Sequence, residues 1–301
     1  GVDNVPLITS FDDQGTTLRI TLREQVAPGS TTEVVIKFKG TVPEIDRDET
    51  SLTTHVVKQV SAALRSDREM RRARDINFHC RGVMLLGASY PVLAVHDGDD
   101  WRRKLEPSVG DFVFNEAADY EVTISAPSGV EVFTSGAETG KSDKSGQVFA
   151  AEALRDFAIL AGRGLRSEHT EVNGINVRSI YLAEHERVGK RALQVAANAV
   201  RVFTKTFGEL PFKSVSIAEA PLVAGLGSCE FSGLNVIASA YFVDFDSPSV
   251  RNLPQIILEQ RPSVEESLEW TVAHLVAHQW WGAAVGNDPA REPLLDEARS
   301  C

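Results

Sequence analysis

At 301 residues, 43% of them hydrophobic and 24% charged, the chain is long enough for about two domains, each with its own core. No stretch approaches the roughly 20 apolar residues that cross a bilayer, so no transmembrane segment is expected. A net charge of −11 argues against a nucleic-acid or anionic-membrane surface and suits a well-solvated globule or one that meets cationic groups.

The predicted elements of the first half are strands. "TTLRITL" sets Leu18, Ile20 and Leu22 on one face, and "EVVIKFKG" does the same with Val34, Ile36 and Phe38. This period of two marks half-buried strands. "RSDREMRRARD" (65–75) interleaves five arginines with three acids, which reads as a solvated, ion-paired helix or loop rather than a basic binding patch. "DYEVTISAPSGVEVFTSG" gives two short strands around a Pro-Ser-Gly turn. "FAILAGRG" and "INVRSIYLA" add two more. The expectation for residues 1–185 is an antiparallel β saddle or sandwich.

From about Glu186 the period changes. "RVGKRALQVAANAVRVFTKTFG" carries Leu193, Ala196, Val200 and Phe203 at helical spacing, with Gly208 as its stop. "KSVSIAEAP" and "GLNVIAS" follow as strands. "SVEESLEWTVAHLVAHQWWGAAVG" reads as one long helix, opened by a capping box of Ser263 and Glu266. Residues 186–301 therefore read as a second, partial domain, and the chain as α+β.

On that last helix His274 and His278 lie four residues apart, one face and one turn, so both imidazoles can reach one ion. Zinc takes a third protein ligand and leaves a fourth position for water. Eighteen residues beyond His278, Glu297 in "PLLDEARS" can supply it. The three cysteines, Cys80, Cys229 and Cys301, give by odd count and wide spacing neither a disulfide framework nor a Cys-based zinc knuckle. The cysteines leave the compartment open. A chain that opens on Gly1 rather than Met leaves room for an upstream signal, and with it a secreted or periplasmic location. The motifs of serine-hydrolase elbows, dinucleotide folds and P-loops are absent.

"TVAHLVAHQWWG" followed by "LLDEARS" resembles the aminopeptidase-N-like zinc metallopeptidases, or gluzincins, in their bacterial form. Their pattern is H-E-x-x-H, eighteen residues, then Glu, with His-Gln-Trp-Trp/Phe-Gly after the second ligand. Asp296 stands where that family has Asn, and Ala298 where it often has Gly. "GSCEFSGL" (227–234) resembles the family's exopeptidase motif. Ser228 and Cys229 depart from it, while Gly227 and Glu230 fall on positions that contact substrate, the glutamate binding a free α-amino group. "TFGELPFKSVSIAEAP" resembles the lead into the first catalytic-domain strand, and "SYPVL", "ADYEVTISAPSGVEVFTSG" and "DFAILAG" resemble the family's β-domain. The resemblance runs from about residue 16 to residue 300. It implies the upper, sheet-plus-helices lobe of a thermolysin-like domain in residues 186–301, one zinc ion on His274, His278 and Glu297, and peptide or protein amino termini as partners.

One letter departs from the pattern where chemistry is concentrated. Leu275 occupies the place of the glutamate that takes a proton from zinc-bound water and returns it to the leaving amine. Leucine can do neither, and loss of such a group costs about 10² to 10⁴ in rate. The family's oxyanion-stabilising tyrosine and helical lower lobe are expected farther downstream than Cys301. Three functions follow: a peptidase-family protein whose hydrolysis is crippled, a pseudoenzyme that binds zinc and peptide amino termini without cutting, or a structural domain that binds neither. The retained ligands favour the first two. Nothing in the sequence sets the oligomeric state.

Overall fold

The computed structural model describes residues 6–64, 73–103, 115–141, 146–248, 250, 255–289, 291–295 and 297–300. The chain divides into two compact units, Gly1–Thr41 with Val92–Glu106, and Val42–Pro91 with Pro107–Cys301. The first unit opens with a hairpin of β1 (Ile8–Asp12) and β2 (Thr17–Thr21). The second begins with α1 (Leu52–Leu64), α2 (Ala73–Ile76), β3 (Asn77–Cys80) and β4 (Val83–Leu86). The chain returns to the first unit for the short pair β5 (His96–Asp97) and β6 (Asp100–Trp101). The second unit then resumes with β7 (Ala118–Ile124), β8 (Glu131–Thr134), β9 (Ala137–Lys141), β10 (Gln147–Leu154), β11 (Ile159–Gly162), β12 (Leu165–Val172) and β13 (Ile175–Leu182). It closes with α3 (Glu186–Phe207), β14 (Ser214–Ala220), β15 (Ser228–Phe231), β16 (Leu234–Ala238), α4 (Gln255–Glu259), α5 (Arg261–Ala277) and α6 (Glu297–Ser300).

Within the second unit three sheets and a helical layer are stacked, and each interface has its own core. The five-stranded sheet runs β12-β13-β14-β16-β15, with β13, β14 and β16 parallel and the two edges antiparallel. One of its faces, through Val177, Val215, Ile217 and Ile237, packs on α3 and α5. The other, through Ile180, Ala218, Leu234 and Val236, packs on the antiparallel sheet β3-β4-β11-β8 through Phe78, Val83, Leu85 and Leu160. Alternation along β11 sends Leu160 to that core and Ile159 and Ala161 to a third one, shared with Phe149 of the antiparallel sheet β7-β10-β9. The molecule is thus α+β, its central sheet covered on both faces, as parallel strands require.

Several sequence expectations are corrected. "EVVIKFKG" forms no strand: Val34, Ile36 and Phe38 are exposed. Alternation gives a strand only where a partner and a core take up the two sides, and among the described residues neither adjoins this segment. The strands around the Pro-Ser-Gly turn, β7 and β8, form but enter different sheets. α1 arises in a half that reads as strands; Ser51 Oγ accepts the Thr54 N–H at 3.2 Å and opens it. The expected long helix begins earlier, with Pro262 in its first turn, where a missing N–H costs nothing. It also stops earlier, at Ala277, and the chain then turns at Gly282, φ 106. α3, by contrast, runs into Gly208 as expected. The change of period at Glu186 is the start of α3, while the central sheet continues across it, β13 on one side pairing with β14 on the other. The arginine-rich stretch lies largely outside the described residues.

Candidate metal centre

α5 positions the two histidines and α6 the carboxylate. His278 Nε2 lies 3.1 Å from His274 Nε2, and each is 3.8 Å from Glu297 Oε2. Among the described residues this is the one group of three or more His, Cys, Asp or Glu side chains close enough to share an ion. His278 is 3% exposed, His274 12% and Glu297 35%, so the histidine rings are shielded and the carboxylate is partly open to solvent.

The outer ring nitrogens set the chemistry of the inner ones. His274 Nδ1 is 3.1 Å from the Ser300 carbonyl, and His278 Nδ1 is 3.2 Å from the Trp281 carbonyl. A carbonyl only accepts, so both Nδ1 atoms carry the proton and donate it. A neutral imidazole so oriented has its lone pair on Nε2. Burial, which favours the neutral ring, lowers the His274 pKa against a smaller opposing effect of the Ser300 carbonyl. Two lone pairs and a carboxylate oxygen then face one another, an arrangement suited to a cation at their centre. From separations of 3.1, 3.8 and 3.8 Å, the point equidistant from the three atoms is about 2.1 Å from each, within the range of zinc–nitrogen and zinc–oxygen bonds. The donor set fits zinc in number, type and spacing. α6 contributes twice, through Glu297 and through the carbonyl that fixes the His274 ring, the second-layer support that metal-binding histidines regularly have.

Leu275, between the histidines, is fully buried in the core shared by α3, α5 and the central sheet. No proton acceptor stands at that helix position.

Gly227 and Glu230 lie at the edge strand β15. The Gly227 carbonyl accepts the Ala238 N–H at 2.9 Å, and a Cβ on Gly227 would come within 3.3 Å of the Tyr241 hydroxyl. Along β15, Cys229 and Phe231 enter the core against β3-β4-β11-β8, so Ser228 and Glu230 take the opposite, α5-facing side. Glu230 is registered directly against Asn235. The structure therefore brings Glu230 to the face of the sheet that α5, with its histidine pair, packs on. Asp296 lies outside the described residues.

Sequence reasoning missed two contributors. Gln279, fully buried, joins the end of α5 to the β15–β16 hairpin; its signal was an amide set between the second histidine and two tryptophans. Trp270, one turn before His274, stacks on that ring at 4.8 Å and 11° between planes, while remaining 57% exposed. Its signal was the same spacing of four that links the histidines.

No family model matches the chain, and no curated protein matches it.

Proposed function

We propose that this protein is a zinc-binding, aminopeptidase-N-like member of the gluzincins that holds peptide amino termini and is impaired in cutting them. The observation that carries the reading is the convergence of three lone-pair donors, with both histidines oriented by backbone carbonyls. The H-x-x-x-H-x18-E spacing, the "HQWWG" sequence and the order of the "GSCEF" and histidine motifs support the family and a thermolysin-like lobe. Zinc at this site supplies a positive charge that polarises a carbonyl oxygen or a bound water. His274 and His278 orient it through rings fixed by their Nδ1 donors. Glu297 neutralises part of its charge. Glu230, on the same side of the sheet, offers a carboxylate to an α-ammonium group. Leu275 neither takes nor returns a proton, so the ground state of a peptide is recognised while the route through a tetrahedral intermediate lacks its proton carrier.

The test has two parts. Elemental analysis of protein purified without added zinc should give close to one zinc per chain, removable by chelator. Aminoacyl p-nitroanilides should then release no chromophore above background, with or without zinc. A metal-free protein that takes up no zinc on titration would overturn the metal reading. Chelator-sensitive turnover would overturn the assignment of Leu275 as a disabling residue.

A further inference from the structure

Gln279 follows the second histidine directly and has no solvent exposure. Its side-chain amide uses both ends. Oε1 accepts the Gly233 N–H at 2.8 Å. Nε2 donates to the Phe231 carbonyl at 3.2 Å and to Asn235 Oδ1 at 3.0 Å. Asn235, also fully buried, passes the connection on by donating from Nδ2 to the Ser216 carbonyl of β14 at 3.3 Å. The amide therefore grips both sides of the two-residue turn between β15 and β16. That turn has little freedom otherwise. Gly233 sits at φ 75, and a Cβ there would meet the Ser135 carbonyl oxygen at 2.8 Å. Asp156 accepts the Ser232 N–H from the other side at 2.8 Å.

We infer that Gln279 is a positioning residue: it fixes the hairpin that bears Glu230 against the helix that bears the histidine pair, and so sets the distance at which a free amino terminus is recognised beside the metal. The inference rests on the reading of Glu230 as an amine-binding carboxylate. Glu230 precedes Phe231, whose carbonyl Gln279 holds, and faces Asn235, whose side chain Gln279 holds. One amide thus touches the neighbours of Glu230 along the strand and across it, while its own backbone continues from His278. Only glutamine supplies an acceptor and two donors at this length. Glutamate would face two acceptor oxygens without a proton to offer, and methionine would fill the volume with none of the bonds.

The discriminating measurement is the ratio of affinities of the zinc-loaded full chain for the tripeptide Leu-Ala-Ala and for its N-acetylated form, read by calorimetric titration. The unmodified chain should prefer the free amine, and Glu230→Gln should abolish the preference. Gln279→Met should reduce the ratio about tenfold, the loss expected when a charge-assisted contact is displaced, with zinc affinity within about threefold because the ligands and their carbonyl partners are untouched. A merely structural role would lower thermal stability and leave the ratio alone. Asn235→Ser is the second variant. It keeps both backbone bonds of Gln279 and loses the amide bridge, so a smaller loss in the same direction is expected, and it decides the matter if Gln279→Met fails to fold. A folded Gln279→Met protein with the unmodified ratio overturns the inference, and leaves the amine reading standing if Glu230→Gln collapses that ratio. No preference in the unmodified chain, unchanged by Glu230→Gln, overturns both.

Discussion

His274 and His278 place their inner nitrogens 3.1 Å apart, and with both rings neutral and protonated on Nδ1 the two lone pairs repel, a repulsion that a cation between them would relieve. Zinc should accordingly stabilise the folded chain by mass action. At a free concentration one hundred times its Kd the gain is about 2.7 kcal/mol, visible as a concentration-dependent rise in Tm by calorimetry. His278→Gln should remove that rise, since it takes away the ligand buried at 3% exposure. A zinc-dependent rise of unmodified size in that variant would show the ion binds elsewhere. Leu275 obeys a different logic. Fully buried among Leu268, Val272, Val276 and Trp280, it does the work of a core residue, and Leu275→Ala should cost about 2–5 kcal/mol in urea unfolding. A glutamate at this position does not by itself supply catalysis. Leu275→Glu takes a carboxylate into that apolar surrounding, at a cost on the order of several kcal/mol unless it is protonated or meets the metal. The expected outcome is a lower urea midpoint that zinc partly recovers, with p-nitroanilide release still near background.

Helix α3 packs on the central sheet through a glycine. Gly189 lies against Tyr181, and a Cβ at that position would fall 2.1 Å from the ring, which is only 2% exposed. Alanine in a helix is intrinsically favoured over glycine by about 1 kcal/mol, yet a buried ring that cannot swing aside makes overpacking dominate, at about 1–3 kcal/mol. Gly189→Ala should therefore lower the urea midpoint, and Tyr181→Leu in the same chain should reverse the sign. The turn into α3 is held by His185, whose Nδ1 lies 2.8 Å from Glu219 Oε1, while Glu219 Oε2 accepts the Leu182 N–H at 3.0 Å. Burial opposes protonation of His185, but the hydrogen bond and charge of Glu219 outweigh it and hold its pKa above the usual 6.5. The pair's contribution is then complete below 6.5 and is lost as pH rises through the raised value. His55 works in the opposite sense. Burial lowers its pKa, so its contribution is present above 6.5 and falls away on acidification. His185→Gln should destabilise most near pH 6 and least near pH 9, about the reverse of His55→Gln. Equal effects of His185→Gln at both ends would show that the ion pair does not form.

Across the whole molecule, what the sequence made legible was whatever depends on spacing within one element. The histidines were readable because i and i+4 share a helix face, and α3 because its apolar stripe ends at a glycine. Glu297 was readable only as a candidate, since its approach depends on a connection whose course no periodicity encodes. The face of Glu230 was hidden for another reason: it follows from which sheet covers Cys229 and Phe231, a tertiary fact. Gln279 was hidden because a buried amide looks like any polar residue until its three partners, from two other strands and a turn, are assembled. The failed strand at Val34–Phe38 is the converse case, a local pattern whose apolar residues stay exposed. That segment carries the last expectation. Residues 22–41 form no helix or strand, and Val35 and Phe38 are 57% and 61% exposed. Backbone without ladder bonds opens to a protease at little free-energy cost, whereas cleavage inside α3 or α5 demands unfolding of the central core. Brief digestion with a lysine-specific protease should cut at Lys37 and Lys39 before the other lysines of the described residues, Lys58, Lys190 and Lys205 among them, as read by peptide mass mapping. His274, His278, Glu297, Gln279 and Glu230 all belong to the second compact unit. The product cut at Lys39 should therefore keep any zinc affinity the intact chain shows, and a first cut at Lys190 or Lys205 would mean that the helical layer around the His274, His278 and Glu297 cluster is less firmly packed than its buried face implies.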